Sequence, residues 1–148
     1  MIKANNIHKS YGDLHVLKGV DLEIKKGEIV SIIGKSGAGK STLLHILGTL
    51  DLADEGNVSI NDVRVNSLNK NDLASFRNDN IGFVFQAFNL FSPLNAEENV
   101  AFPLTLSGTL SRKEIMNRAH EALEKVGLYE KRKSRPQQLS GGEQQRVA

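Results

Sequence analysis

The stretch GKSGAGKST, residues 34–42, decides the interpretation of this sequence. It has a glycine, four further residues, a glycine, a lysine and a hydroxyl residue in order, and it directly follows the apolar run IVSII at residues 29–33. A strand that leads into such a glycine loop is the context in which main-chain N–H groups cradle a phosphate chain. We expect Lys40 to reach the β- and γ-phosphates and the Ser41 hydroxyl to bind Mg²⁺.

The composition of the loop supports this interpretation. Its glycines lack a Cβ, so the main chain can adopt positive φ and turn its N–H groups towards an anion. A chance match is the alternative, and at a glycine frequency of about 7% it would arise in roughly one chain in a few hundred of this length. The predicted nucleotide-binding residues are Gly34, Lys35, Ser36, Gly37, Ala38, Gly39, Lys40, Ser41 and Thr42.

A helix is predicted directly after the loop, because leucines recur there at helical spacing. Its N-terminus would add its dipole and free N–H groups to the anion site. The predicted apolar stripe comprises Leu43, Leu44, Leu47 and Leu50.

A second glycine motif, LSGGEQQR, occupies residues 139–146. Ser140 is followed by Gly141, Gly142 and four good helix formers, so we expect it to cap a helix whose first amides are exposed. Such a helix terminus is a second anion site. An ordinary capped helix is the alternative, and it would be the better interpretation if the first loop were absent.

Together the two motifs closely resemble those of the ATP-binding-cassette ATPases. LSGGEQQ resembles the signature motif of that family, and the resemblance extends over residues 1–148. It implies an α/β fold with a P-loop NTPase core, an N-terminal antiparallel β layer and an inserted α-helical subdomain. The β layer and P-loop core would span residues 1–86 and the helical subdomain residues 87–148, a partial domain that lacks the C-terminal part of the core.

Further positions match the family residue by residue. Tyr11, in KSYG, is placed like the aromatic residue that stacks on adenine, and a half-buried loop tyrosine is an equal alternative. Gln86, after a strand predicted at residues 81–85, is placed like the catalytic glutamine that senses Mg²⁺ and the attacking water. A polar residue at the end of a strand is the alternative, so this role rests on the resemblance. Arg135 and Pro136, ahead of the signature, also fit the family pattern.

The resemblance also implies cofactors and partners. ATP and Mg²⁺ are the expected ligands, and two ATP-binding subunits would form a homodimer in which the signature of one copy closes over the ATP of the other. An integral membrane permease would be the second partner, which implies a cytoplasmic subunit at the inner face of the cell membrane. STLLHILGTLD and IGFVFQAFNLFSPLNAEENVAFPL look most like lipoprotein-releasing and macrolide-exporter ATP-binding subunits, and the cell-division ATP-binding subunit is similar too.

Hydrolysis of ATP needs a carboxylate that holds the metal and a group that orients the water. The family carries both on an apolar strand beyond the signature, whereas this sequence ends at Ala148. Neither Asp21 nor Asp62 follows a comparable strand. We therefore expect these 148 residues to hydrolyse ATP little or not at all. The alternative is a non-catalytic fragment that only binds nucleotide, with low solubility or an unusual oligomeric state.

Composition excludes several classes of function. The sequence has no cysteine, which excludes disulfides and thiolate metal sites. No apolar run approaches the length of a bilayer span, and residues 1–9 lack the apolar core of a signal peptide. A net charge of +2 gives no reason to expect nucleic acid as a partner. We interpret the basic residues 131–135 as a solvated surface, and contact with lipid headgroups or an acidic partner is the lesser alternative.

Hydrophobic patterning predicts the remaining elements of the first half. Alternating apolar residues predict two antiparallel strands at residues 2–7 and 16–24. A hairpin is predicted at residues 56–65, with its turn at Asn-Asp. A short helix is predicted at residues 71–77.

The second half is predicted to be mainly helical. Asn95 is expected to cap one helix, and Ser111 another, through a capping box with Glu114. The second helix is expected to end at Gly127. Its predicted apolar stripe comprises Ile115, Ala119, Ala122, Leu123 and Val126.

The loop AFNLFSPL, residues 87–94, is unusually apolar for a connector, since connectors normally run over the surface. An exposed patch of Phe88, Leu90 and Phe91 would suit a groove that receives a helix of the membrane partner. The alternative, which we favour for Phe88 itself, is that these side chains pack into the helical subdomain.

A GTPase is the principal rival class. Its Asn-Lys-x-Asp and Asp-x-x-Gly patterns both occur, at residues 69–72 and 79–82. Their order is reversed, however, and no buried strand is predicted before the first of them. We interpret them as a polar turn and the start of a strand.

Overall fold

The structure, a computed structural model, describes residues 1–85, 87–106 and 108–148. These residues form two compact units, Met1–Phe83 and Val84–Ala148, which we describe in turn. In the described residues no helix combines the length and the apolar character needed to cross a membrane.

The first unit contains a four-stranded antiparallel sheet whose strands are β1 (Ile2–Tyr11), β2 (Leu14–Ile24), β3 (Glu55–Ile60) and β4 (Val63–Arg64). Their order in the sheet is β2-β1-β3-β4. β1 and β2 form one hairpin, and β3 and β4 form another. The predicted antiparallel β layer and the predicted hairpin at residues 56–65 are therefore confirmed.

Helix α1 (Lys40–Leu47) packs against this sheet and closes the core of the unit. Its buried residues are Leu43, Ile46 and Leu47. The predicted helix is confirmed, but its predicted stripe is partly wrong, because Leu44 and Leu50 are 52% and 40% exposed. Leu50 lies beyond the end of the helix, so helical spacing no longer decides which way it faces.

The strands predicted at residues 29–33 and 81–85 are wrong for this structure, in which neither segment is a β-strand. A strand is completed by hydrogen bonds to a neighbour, and the sheet of the described residues consists of β1 to β4 alone. Ile32 packs against the core. Ile29 and Ile33 are 96% and 89% exposed, so the predicted burial on both faces is also absent.

Helix α2 (Lys70–Asn80) contains the helix predicted at residues 71–77. Asn69 is its N-cap, and the Asn69 side-chain oxygen accepts hydrogen bonds from the N–H groups of Asn71 and Asp72 at 3.0 Å each. The first GTPase-like pattern is therefore a helix start. The second begins inside the last turn of α2, so its interpretation as the start of a strand is wrong.

The second unit consists mainly of three helices in its described residues. They are α3 (Ala96–Leu106), α4 (Arg112–Lys125) and α5 (Gly141–Val147). Asn95 caps α3 by accepting the Glu98 N–H at 2.9 Å. Ser111 caps α4 in a capping box with Glu114. Both predicted caps are confirmed. Short 3-10 helices lie at Val65–Ser67 in the first unit and at Tyr129–Lys131 and Pro136–Gln138 in the second.

Helix α4 buries one face, as its apolar spacing predicts. The buried residues are Ile115, Ala119 and Leu123. Ala122 is exposed, contrary to the predicted stripe, and Val126 lies past the end of the helix at 36% exposure. Gly127 has φ of 71°, the left-handed conformation that ends helices, so the predicted stop is confirmed.

A buried carboxylate, Glu97, joins three parts of the second unit. Its side chain is 5% exposed. His120 of α4 lies 3.0 Å from its Oε2, and the Lys133 ammonium donates to its Oε1. Burial acts to raise the pKa of Glu97, but the hydrogen bonds and charges of Lys133 and His120 outweigh it and lower that pKa. Glu97 is thus held in its ionised form.

We predict that this carboxylate makes the chain sensitive to acid. Because the pKa of Glu97 is lower in the folded state, its stabilisation is complete above the ordinary value of 4.5 and is lost as the pH falls below it. Glu97→Gln should lower the free energy of unfolding at pH 7 by about 1–3 kcal/mol. It should also show a smaller fall in melting temperature than the parent between pH 6 and pH 3. Glu121→Gln, on the exposed face of α4, is the control, and an equal fall in Glu97→Gln and parent would contradict the prediction.

We also predict that the exposed apolar side chains of residues 29–33 form a hydrophobic surface patch on these 148 residues. An Ile29→Ser, Ile33→Ser double variant should bind less of the dye 8-anilinonaphthalene-1-sulfonate, because it removes exposed apolar side chains. Its far-ultraviolet circular dichroism should be unchanged. Ile7→Ser, at a fully buried position, is the contrasting control and should increase dye binding. Unchanged dye binding in the double variant would show that this surface is covered in solution.

Candidate nucleotide-binding site

The glycine loop of the first unit joins residues 29–33 to helix α1. Gly37 and Gly39 have φ of 78° and 85°, as their lack of a Cβ permits. Gly39 is the N-cap of α1. A Cβ on Gly39 would lie 2.9 Å from Leu17 Cδ2 and 3.0 Å from Val16 Cγ1, so a larger residue would have to displace these side chains of β2 as well as adopt the positive φ.

Lys40, the first residue of α1, turns its side chain back onto the loop. Its Nζ donates hydrogen bonds to the carbonyl oxygens of Gly34 at 2.9 Å and Lys35 at 2.6 Å. The Ala38 N–H donates to the Lys35 carbonyl at 3.3 Å. The loop therefore encloses a positive charge, and a phosphate that entered it would meet that charge together with the N-terminus of α1.

A cavity of about 310 Å³ lies over the loop. It is lined by Tyr11, Val16 and residues 36–42. The structure thus brings Tyr11 of β1 together with the loop residues from which a phosphate site was predicted. Tyr11 is 49% exposed, which leaves much of its ring accessible to a ligand.

Three charged residues that were not predicted from the sequence surround Tyr11. Its hydroxyl donates to Asp51 Oδ2 at 2.8 Å, and Lys9 Nζ lies 5.3 Å from the centroid of its ring. Asp54 completes the group at 3.5 Å from Lys9 Nζ. The hydrogen bond to Asp51, followed by burial, raises the pKa of Tyr11, so the ring stays neutral and keeps its O–H donor.

Asp51 and Lys9 each stabilise the charged form of the other. Burial acts to raise the pKa of Asp51, but hydrogen bonds from Lys9 and Tyr11 outweigh it and lower that pKa. Burial likewise acts to lower the pKa of Lys9, and Asp51 outweighs it, so the pKa of Lys9 is raised. Asp51 carries a negative charge and Lys9 a positive one at neutral pH.

The predicted catalytic and Mg²⁺-sensing residue Gln86 lies outside the described residues.

The loop of residues 87–94 has an unusual main chain, in which Phe88 and Asn89 have φ of 55° and 52°. Positive φ at a bulky residue is strained. Phe88 is half-buried, in agreement with the inward packing expected for it. Phe91 is 50% exposed. Leu90, by contrast, is half-buried and packs against an apolar core cluster of the second unit, so of the predicted exposed patch only Phe91 is largely exposed. Docking at this loop stays a prediction.

The loop after Phe88 is fastened to helix α3. Asn99 Oδ1 accepts the Phe91 N–H at 2.8 Å, and Asn99 Nδ2 donates to the Phe91 carbonyl at 3.2 Å. The Phe91 ring lies against Phe102 with a centroid distance of 4.6 Å. These contacts hold a partly exposed aromatic residue at a fixed position on the helical unit.

The second glycine motif begins helix α5 in the second unit. Ser140 is its N-cap, as predicted, and forms a capping box with Glu143. An added Cβ would meet nothing within 4 Å at Gly141 and only Arg146 Nη1, at 3.9 Å, at Gly142. The two glycines at the start of this helix are therefore not crowded by neighbouring atoms of the described residues.

Glu143 anchors that helix start electrostatically. The hydrogen bond from Lys131 first, and then those from the Ser140 main chain and hydroxyl, lower the pKa of Glu143 to about 2. The carboxylate stays ionised at the helix N-terminus, where it complements the dipole. Sequence spacing predicted the cap at Ser140 but gave no signal for Lys131.

A metal ion would have few protein ligands in the part of the chain that the structure describes. The described residues contain no group of three or more His, Cys, Asp or Glu placed to hold a metal. Ser41, at the start of α1, lines the cavity and offers one hydroxyl. This donor set fits Mg²⁺ only if phosphate oxygens and water supply most of its six ligands, which is how Mg²⁺ usually binds beside a nucleotide.

Comparison with known proteins agrees with this geometry. The family described as ABC transporter matches residues 17–148. The lipoprotein-releasing system ATP-binding protein LolD of Bacteroides thetaiotaomicron is 53% identical over 148 residues, which are all of this chain and 67% of that protein. The macrolide export ATP-binding/permease protein MacB of Mannheimia succiniciproducens is 43% identical over 152 aligned positions, covering all of this chain and 24% of that protein.

A solved structure is similar in fold as well as in sequence. It is the dimeric structure of a post-hydrolysis state of the ATP-binding cassette MJ0796 bound to ADP and Pi, with a TM-score of 0.90 and 47% identity. The match covers 99% of this chain and 66% of that one. The chain thus spans about two thirds of the length of LolD and of the MJ0796 cassette, and within that span it adopts the α/β fold of an ATP-binding cassette. With a family match over residues 17–148, this chain belongs to the ABC transporter family.

Proposed function

We propose that this chain is the ATP-binding subunit of an ABC transporter and that it holds ATP and Mg²⁺ at the glycine loop. The observation that carries the proposal is the cavity in which Tyr11 and residues 36–42 meet. A nucleotide has an aromatic base at one end and a polyanion at the other. The cavity offers an accessible aromatic ring and a lysine beside a helix N-terminus to match them.

In this proposal each part of the nucleotide contacts a different group of residues. Adenine stacks on Tyr11, the phosphates contact the main chain of residues 34–39 and the Lys40 ammonium, and Ser41 binds Mg²⁺. Thr42 lies at the cavity wall beside Ser41. Gln86 is proposed to sense the metal and the attacking water, on the family resemblance alone.

A homodimer is the proposed active assembly. In it, Ser140, Gly141 and Gly142 of one copy close over the ATP of the other, so that one triphosphate receives donors from two helix termini. The open start of helix α5 supports this arrangement, because nothing but a distant arginine atom would crowd the two glycines. The similar MJ0796 cassette, bound to ADP and Pi, is dimeric.

A membrane permease is the proposed second partner, as in a system that releases lipoproteins or exports macrolides. The exposed Phe91 ring, fixed by Asn99 and Phe102, supports docking at the loop of residues 87–94. Such a surface suits an amphipathic helix. The cargo is a property of the permease, and the proposal extends to a cytoplasmic position at the inner face of the membrane.

We further propose that these 148 residues on their own bind ATP but hydrolyse it slowly or not at all. Neither of the two aspartates considered as substitutes lines the cavity. Asp21 accepts the Asn6 N–H at 2.8 Å, and Asp62 lies in the β3–β4 turn with φ of 66°. Turnover at the rate of a longer relative would contradict this part of the proposal.

Lys40→Ala is predicted to remove most of the affinity for ATP. It deletes the cation enclosed by the loop, and a charged hydrogen bond to phosphate is worth enough to weaken binding by on the order of 10- to 100-fold. Isothermal titration calorimetry with ATP and Mg²⁺ measures the change. Lys18→Ala, which removes an exposed lysine of β2 outside the cavity, is the control. Equal affinity in Lys40→Ala and parent would refute the phosphate role.

Ser140→Arg is predicted to spare ATP binding and to prevent ATP-dependent dimerisation. The long cation would occupy the open space before α5 that the partner's phosphates need. Sedimentation velocity with and without ATP and Mg²⁺ follows the dimer. Ser111→Arg is the matched control, because Ser111 caps α4 through the same kind of capping box. A Ser140→Arg dimer, or a parent chain that stays monomeric with ATP, would contradict the proposed arrangement.

A further inference from the structure

The segment after helix α1 lies along the end of strand β1. The Asp54 N–H donates to the His8 carbonyl at 2.9 Å, and the Ser10 N–H donates to Asp54 Oδ2 at 2.6 Å. Lys9 Nζ donates to the Leu52 carbonyl at 2.7 Å. Each of the residues 8, 9 and 10 thus makes a hydrogen bond to the segment. The segment cannot shift along the strand without breaking several of these bonds.

Asp51 uses both carboxylate oxygens within this arrangement. Oδ2 accepts the Tyr11 hydroxyl at 2.8 Å, and Oδ1 accepts Lys9 Nζ at 3.0 Å. Lys9 and Tyr11 are two residues apart on β1, and the side chains of both reach this carboxylate. A single carboxylate thus joins the tip of the ring to the cation beside it.

Lys9 adds a second restraint on the ring. Its side chain is only 11% exposed, which is unusual for lysine. Its ammonium lies 5.3 Å from the Tyr11 ring centroid, within the range of a cation–π contact. The hydroxyl bond fixes the tip of the ring, and the cation favours one orientation of its plane.

The main chain that carries Asp51 is itself strained. Thr49 has φ of 60°, a true outlier for a β-branched residue. It is 3% exposed, its hydroxyl has no hydrogen-bond partner in the described structure, and its carbonyl accepts from Arg77 at 3.0 Å. The fold maintains this costly turn, and the turn is what brings the chain from α1 to Asp51.

We propose that Asp51 and Lys9 are positioning residues that hold the Tyr11 ring ready to receive the purine base of the nucleotide. The inference rests on the proposed function, because it needs Tyr11 to contact the base. A tyrosine exposed to 49% would otherwise lose rotational freedom each time a base bound. Fixing the ring beforehand removes that cost from base recognition and leaves phosphate binding unaffected.

The test separates base recognition from phosphate binding. Affinities for ATP and for inorganic tripolyphosphate, each with Mg²⁺, are measured by calorimetry on the 148-residue chain. Tyr11→Phe keeps the ring and removes the hydroxyl, which donates to Asp51 and also interacts with the Thr42 side chain. It should weaken ATP binding by about 3- to 10-fold and leave tripolyphosphate binding unchanged. Asp51→Ala should have the same selective effect.

A double-variant comparison and a control sharpen the result. Tyr11→Phe combined with Asp51→Ala should be little weaker than Asp51→Ala alone, because both changes remove the same hydrogen bond. Asp13→Asn is the control, an exposed carboxylate in the adjacent β1–β2 turn, and should bind ATP like the parent. Should Asp51→Ala fail to fold, Tyr11→Phe alone still tests the inference, because it removes one oxygen atom from a half-exposed side chain.

The outcomes distinguish the inference from the proposed function. If the parent binds both ligands and Tyr11→Phe keeps the parent's ratio of ATP to tripolyphosphate affinity, the positioning role is wrong and the nucleotide site stands. A fall in both affinities together would also overturn the inference, because it would show a general structural effect. If the parent binds neither ligand, both proposals fail.

Discussion

The close contact of Gly39 with strand β2 is the constraint on which the proposed site depends. A glycine with φ of 85° joins the loop to α1, and a Cβ there would press on the side chains of Val16 and Leu17. This close approach packs the first turn of α1 against β2. Lys40, Ser41 and the free N–H groups of that turn are then held in place by packing before any ligand binds.

Helix α1 also relates the glycine loop to Tyr11. Its first turn holds the residues proposed to contact the phosphates, and the chain beyond its last turn contacts Tyr11 through Asp51. The residues proposed for the base and for the phosphates therefore belong to one compact unit, Met1–Phe83. The second unit is stabilised differently, by capping boxes and by the buried Glu97, whose partners come from α4 and from the chain after it.

Local features of this chain were predictable from its sequence, and features completed by distant residues were not. The glycine loop, the caps at Asn95, Ser111 and Ser140, and the stop at Gly127 depend on neighbours within a few residues, and the structure contains all of them. The strand predicted at residues 29–33 depends on a pairing partner that no sequence pattern supplies. Asp51 was overlooked because its partner Tyr11 is 40 residues away, and nothing near either residue signals the contact.

If ATP contacts the main chain of the glycine loop, as we propose, nuclear magnetic resonance of the ¹⁵N-labelled chain detects the contact directly. On titration with ATP and Mg²⁺, the amide signals of Gly37, Gly39 and Lys40 should shift most, and they should saturate together with those of Tyr11 and its neighbours. Saturating ATP that left these signals in place, or shifted others instead, would contradict the account.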